Sequence, residues 1–313
     1  LQLQSELQRI YFLADGLPDR EAFSMNRLLL KKLLRPHIWR RIGVERLTEP
    51  LHLNLVSLFV ALFGSFRAKV AFDLVVRQHA AYCLLRCADQ ARARGLRSVT
   101  AVEFGVASGA GLFNMAEIAS QVTLNTGIEF KIIGFDTARG MPPPVDYRDH
   151  PDLYREGDFR MDEERLRQTL PANVELVIGD LKDTAQTLLK ILTPESPLGY
   201  VCLDVDFYSS TKHALTCLTG EPDLYLPVTY IYLDDLEDEA HNSNCGELLA
   251  LSEFNREVAP RIVERHTFLR GYRIMKNARW IDHIFAYHVV DHPSRAKPSA
   301  CMATIDLENP YLR

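Results

Sequence analysis

The sequence predicts an α/β protein: a mostly parallel β-sheet wrapped by helices and preceded by a helical region. Up to about residue 97 apolar residues recur at helical spacing, whereas from Ser98 short β-rich runs alternate with helical segments. The β-rich runs are nearly continuous in apolar character, which suits strands covered on both faces.

In the N-terminal region Leu28, Leu29, Leu30, Leu33 and Leu34 give one apolar helix face, and residues 70–91 give another with few Gly or Pro interruptions. Lys31, Lys32, Arg35, Arg40 and Arg41 are interleaved with apolar residues and read as the solvated side of a helix rather than a polyanion site. The apolar stretch 53–66 is shorter than the roughly 20 residues of a spanning helix. It contains Asn54, Ser57 and Gly64, so a buried or subunit-facing helix is expected. Strands are expected at 99–104, 130–135, 174–178, 200–203 and 228–233, with a last one within 280–290 and an ambiguous region at 261–274. Helices are expected between them at 111–120, 163–170, 184–191 and 210–218, and after them at 247–258. Residues 141–159, rich in Pro, Asp and Tyr, form the longest stretch without periodicity. Their position suggests a lid, with Tyr147 and Tyr154 as apolar walls.

Composition narrows the function. The 313 residues are 47% hydrophobic and 25% charged, so the chain can bury a sizeable core. The net charge of −5 offers no electrostatic footprint for nucleic acid. Six cysteines without a C-x-x-C pair read as reduced, mostly buried thiols of a cytoplasmic protein, Cys83, Cys87, Cys202 and Cys217 among them. No signal peptide and no membrane span are expected.

Ligands of parallel α/β sheets bind beyond the carboxyl ends of the strands, so the residues there carry the information. After the first strand runs Glu103-Phe104-Gly105-Val106-Ala107-Ser108-Gly109-Ala110-Gly111, a G-x-x-x-G-x-G turn with an acid two residues before it. A nicotinamide-binding sheet would show G-x-G-x-x-G instead, which disfavours an oxidoreductase. The second run ends in Asp136, placed to accept hydrogen bonds from a ribose diol, and the third in Asp180; either could instead cap a helix. The fourth and fifth end in Leu203-Asp204-Val205-Asp206 and Leu233-Asp234-Asp235. Four carboxylates so placed repel one another unless a cation or protons intervene. Hard oxygen ligands in that number suit Mg²⁺, although Asp206 or Ser210 could serve as a cap for the next helix.

The glycine turn resembles the first motif of class I S-adenosylmethionine (SAM)-dependent methyltransferases. The set GFDT-x-x-GMP (134–142), IGD (178–180), LDVDFYSST (203–211) and LDD (233–235) resembles the macrocin O-methyltransferase family, with weaker similarity at Gly246-Glu247 and Phe254-Asn255. The resemblance implies a seven-stranded, mostly parallel, Rossmann-like SAM-dependent methyltransferase sheet. It implies that SAM lies on Glu103, Gly105, Ser108, Gly109, Gly111, Asp136 and Asp180. It also implies Mg²⁺ on Asp204, Asp234 and Asp235. The catechol-type enzymes carry a lysine three residues after the first metal Asp, where this chain has Phe207. His241 and His150 are the candidates for removing the acceptor's proton, while His213, His283, His288 and His292 read as structural.

The sequence is thus divided into a helical region 1–97, a SAM-binding domain 98–292 and a tail 293–313. The expected activity is metal-assisted O-methylation of a small-molecule hydroxyl, with a homodimer formed through the N-terminal helices. A metal-independent methyltransferase and a non-catalytic SAM-binding protein are the alternatives.

Overall fold

The computed structural model describes residues 42–236 and 241–296. The Leu28–Leu34 face, the basic residues 31–41 and most of the C-terminal tail lie outside them. The chain divides into two compact units, Leu1–Asn54 and Leu55–Arg313. The larger unit thus takes in residues from both sides of the change of sequence texture at residue 97. In the smaller unit the Asn54 side-chain amide donates to the carbonyls of Arg46 (2.8 Å) and Glu49 (3.3 Å), tying the start of helix α1 (Leu51–Phe63) to the preceding turn.

In the larger unit α1 leaves Leu55, Leu58, Phe59, Leu62 and Phe63 exposed and buries Ser57 and Val60, so of the buried or subunit-facing helix expected there, this chain does not itself bury the apolar face. No helix among the described residues is long and apolar enough to cross a membrane. The face expected over residues 70–91 is broken in two, α2 (Phe66–Ala71) and α3 (Gln78–Ala93). The break contains Asp73 and Arg77, both non-glycine residues at positive φ. Asp73 is buried and paired at 2.5 Å with the buried Arg273 guanidinium, which also donates to the carbonyl of Val70 and lies over the rings of Tyr82 and Trp280.

Seven strands follow: β1 (Ser98–Phe104), β2 (Glu129–Asp136), β3 (Val174–Ile178), β4 (Leu198–Leu203), β5 (Tyr225–Leu233), β6 (Ile262–Arg265) and β7 (Ile284–His288). They form one sheet in the order β3-β2-β1-β4-β5-β7-β6, parallel from β3 to β5, with β7 antiparallel to both neighbours. The ambiguous region 261–274 resolves into β6 and a short helix, α10 (Leu269–Tyr272), whereas Arg279–His283 is a 3₁₀ turn ahead of β7. Helices α4 (Ala110–Thr126), α5 (Glu163–Thr169), α6 (Leu181–Thr184), α7 (Leu188–Ile191), α8 (Tyr208–Ala214) and α9 (Gly246–Glu257) connect or cover the strands.

Side chains alternate between two apolar layers, as the pleat of a strand requires. Val99, Ala101, Ile132, Tyr200, Cys202, Tyr230 and Tyr232 pack with α3 and α4 on one face. Val102, Phe104, Ile133, Phe135, Val201, Leu203, Ile231 and Leu233 pack on the other with Leu181, Leu188, Leu215, Ala250 and Phe254. The free cysteines at 83, 87, 202, 217 and 245 are all buried. Two filled layers hold the carboxyl edge of the sheet in place, and the site is built along that edge.

Removing one partner of a buried ion pair leaves an uncompensated charge and costs about 3–5 kcal/mol. Arg273→Met should therefore lower the unfolding free energy by about that amount, read from urea denaturation.

Candidate active site

A cleft of about 690 Å³ opens over the carboxyl ends of β1, β2, β4 and β5. Backbone hydrogen bonds extend the ladder one residue beyond the strands: Gly105 N–H donates to Phe135, Asp204 N–H to Phe104 and Asp234 N–H to Leu203. The loops that carry the chemistry thus leave the sheet in register.

The first loop folds as its glycines require. Gly105 sits at φ +85°, and a Cβ there would fall 1.8 Å from the carbonyl oxygen of Asp204, so the loops after β1 and β4 touch backbone to backbone. A Cβ on Gly111 would fall 1.8 Å from Glu103 Oε1. Gly105, Ser108 and Gly111 line the cleft, whereas Gly109 turns the chain into α4 with Leu166 behind it.

Glu103 is buried, with Oε2 lacking any hydrogen-bond partner and Oε1 4.0 Å from the Arg77 guanidinium. Burial raises its pKa to about 8, against the pull of Arg77. Arg77 was not singled out in the sequence. It lies 26 positions upstream, and only the fold brings it to β1.

Asp136 has a local role that strand-end reasoning did not reveal. Its Oδ2 accepts from the amides of Val106 (2.8 Å) and Ala107 (2.9 Å), and its Oδ1 from the amide of Ala138 (2.7 Å). Asp180 lines the cleft but is exposed. It caps α6 through the Lys182 amide and pairs with the Lys182 ammonium at 3.3 Å. Burial would raise its pKa, but the Lys182 amide and ammonium outweigh that and hold it low.

Asp204, Asp234 and Asp235 converge as expected: one carboxylate oxygen from each lies within 4.8 Å of the others, and all three line the cleft. Burial pushes Asp204 up to about 7 and Asp235 to about 11, with neighbouring carboxylates adding to both. Asp206, buried and at φ +56°, donates its amide to Asp235 Oδ2 at 3.1 Å. Glu247, in the first turn of α9, is buried with both carboxylate oxygens unpartnered, and burial beside Asp204, Asp234 and Asp206 drives its pKa far above the usual range.

His150 and His241 come together, their rings stacked at 4.6 Å, but neither lines the cleft. His150 is buried against Gly246, where a Cβ would stand 2.9 Å from its Nε2. His213 does line the cleft, from the last turn of α8. His283 is structural, its Nδ1 2.7 Å from the Leu233 carbonyl.

The aperiodic stretch 141–159 is an ordered wall. Its base is closed by the Met141 amide on the Asp158 carbonyl and the Gly157 amide on the Met141 carbonyl. Its middle is latched by the buried Asp149, which accepts from the Ser209 amide (2.8 Å), the Ser209 hydroxyl (2.9 Å) and the Val145 amide (2.9 Å). Met141, Val145, Tyr154 and Phe159 face the cleft, while Tyr147 is 73% exposed and does not line it.

The strand order, with β7 antiparallel between β5 and β6, is that of the class I methyltransferase fold. Among solved structures, the chain is similar to the calicheamicin methyltransferase CalS11 at 19% identity and a TM-score of 0.43, over 76% of this chain and 86% of that one. It is similar to CmcI-D160 with Mg and SAM at 19% and 0.32, over 64% and 70%. It is also similar to the plantazolicin methyltransferase BpumL, in complex with a pentazolic desmethylPZN analogue and S-adenosylhomocysteine (SAH), at 10% and 0.32, over 76% and 98%. No protein-family model matches the chain, and no curated protein matches it in sequence.

Two outcomes follow from this geometry. Asp149→Ala strands the Ser209 and Val145 amides, at about 1–3 kcal/mol for a buried donor left unpaired, and amide exchange over 141–159 should quicken. The second concerns pH. An acid whose pKa is raised on folding holds its proton in the native state after the unfolded chain has lost it, so stability falls between the unfolded value and about 8 for Glu103 and is flat above. In the ligand-free protein Glu103→Gln should reduce the loss of stability from pH 5 to 8, by at most about 1.4 kcal/mol per pH unit for one proton, measured by urea midpoints.

Proposed function

We propose that this chain is a SAM-dependent methyltransferase that methylates a hydroxyl of a small molecule, with a divalent cation such as Mg²⁺ held by Asp204, Asp234 and Asp235. One observation carries the reading: three carboxylates converge in the same cleft as a glycine loop backed by a buried acid. The donor set fits a hard cation. All donors are oxygens, two of the three carboxylates are strongly destabilised as anions by burial, and Glu247 adds unpartnered carboxylate oxygens beside them. SAM supplies an activated methyl group, and a bound cation lowers the pKa of an acceptor hydroxyl and fixes its approach.

The chain's own residues do the rest by positioning. Glu103 accepts the donor's ammonium on Oε2, and Gly105, Ser108, Gly109 and Gly111 shape the loop around the methionine part. A carboxylate offers about four acceptor positions. Asp136 already uses three on backbone amides, which leaves it room for one ribose hydroxyl rather than the diol pair. Asp180 stands on the cleft wall for the adenine end, in competition with Lys182. Direct proton removal by His150 or His241 would require this wall to rearrange, because both lie behind the lining. The apolar Met141, Val145, Tyr154 and Phe159 are suited to exclude water from the acceptor.

The test pairs two measurements on one variant. Wild-type protein should bind SAH by calorimetry, and Mg²⁺ should stabilise it by about 2.7 kcal/mol at a hundredfold excess over its Kd. Asp234→Asn should abolish the Mg²⁺ effect and depress methyl transfer, with little change in SAH affinity. Absence of SAH binding at millimolar ligand would overturn the methyltransferase reading. Methyl transfer undiminished by excess chelator would remove the cation from it.

A further inference from the structure

The geometry points to a two-sided subsite for the amino-acid end of the methyl donor, in which Arg77 takes the α-carboxylate while Glu103 takes the α-ammonium. The inference rests on the SAM reading above and adds to it a residue that no strand-end motif contains.

Four observations converge on Arg77. It is a non-glycine residue held in the left-handed region at φ 51°, ψ 65°, a conformation that costs about 1–3 kcal/mol and persists where the surroundings over-determine it. That turn begins α3 and delivers the guanidinium to the cleft, where the side chain stays one-third exposed while Glu103 is almost fully buried. The two do not close into a hydrogen-bonded pair. At 4.0 Å, Arg77 Nη1 and Glu103 Oε1 stand beyond hydrogen-bond reach, and Glu103 Oε2 has no partner. Finally, Gly111 keeps the corner open, since a Cβ there would lie 1.8 Å from Glu103 Oε1 and 3.1 Å from Arg77 Nη1.

An ion pair built for stability would be short and bidentate, as Arg–carboxylate pairs allow. This one is held apart, with an unused acceptor on one side and unused guanidinium donors on the other. A zwitterion completes such an arrangement: its ammonium meets the acid, its carboxylate meets the fork, and the net charge of the corner is unchanged. The other basic side chains lining the cleft, Lys182 and His213, lie toward Asp180 rather than Glu103. Burial disfavours the charge of Arg77, and Glu103 first, then Asp204 and Asp234, more than offset it.

The variant is Arg77→Gly, because glycine adopts the left-handed backbone without strain and preserves the start of α3. A matched melting temperature and circular dichroism spectrum establish that it folds. SAM and decarboxylated SAM, which keeps the ammonium and the nucleoside but lacks the carboxylate, are titrated into both proteins by calorimetry. A charged hydrogen bond lost corresponds to about a tenfold to hundredfold change in affinity. Wild type should prefer SAM over the decarboxylated form by that factor. Arg77→Gly should lose the preference by binding SAM more weakly while leaving the decarboxylated form unchanged, and Glu103→Gln should weaken both. Equal weakening of both ligands by Arg77→Gly, or of neither, overturns the inference and leaves the SAM reading standing. Failure of wild type to bind either ligand overturns both.

Discussion

The crowding of negative charge along one edge of the sheet is the constraint from which most of the local structure follows. The strand order sets β1, β4 and β5 side by side, and each ends in acid: Glu103, Asp204, and the Asp234–Asp235 pair. Asp206 and Glu247 stand just behind them. Carboxylates buried together disfavour one another's charged forms, and burial alone already disfavours each. The surroundings answer in several ways. Arg77 is brought in at the expense of backbone strain, the Asp206 amide is turned onto Asp235, and Glu247 is set in the first turn of α9, where the helix dipole favours an anion.

Such an edge can be maintained only on a rigid base. The two apolar layers supply it, because nearly every residue of the central strands is buried in one layer or the other, and a one-residue slip would drive each side chain into the opposite packed layer. The backbone contact between Gly105 and the Asp204 carbonyl then welds the glycine loop to the acidic loop, so the proposed donor and acceptor halves of the cleft share one rigid seam. On the open side, Asp149 fastens the wall formed by 141–159 to the same acidic loop through Ser209.

What could be read from the sequence was the local part. The strands from 99 to 233 were legible because buried parallel strands are nearly unbroken apolar runs, and they were found within three residues of their ends. The helical stretch 184–191 proved to be two short helices joined by a 3₁₀ turn, and 70–91 to be two helices, because Asp73 and Arg77 break the chain without the glycine or proline that usually signals a break. The convergence of Asp204, Asp234 and Asp235 was foreseeable from strand-end position alone. The partnerships of Arg77 with Glu103 and Asp149 with Ser209 were not, since they join residues 26 and 60 positions apart with no shared periodicity. Tyr147 and Tyr154 looked equivalent as letters, yet only the second faces the cleft, because the 3₁₀ turn at Tyr147–Asp149 directs the first outward.

Asp136 has a wider consequence. By gripping the amides of Val106, Ala107 and Ala138, it holds the glycine loop and the segment after β2 in one shape before any ligand arrives. A loop rich in glycine would otherwise sample many conformations and have to be frozen with each binding event. Here the freezing is completed once, when the chain folds, so the loop acts as a mould rather than a clasp. Recognition by such a mould is governed by shape and charge fit, and its speed by diffusion into an already formed cavity.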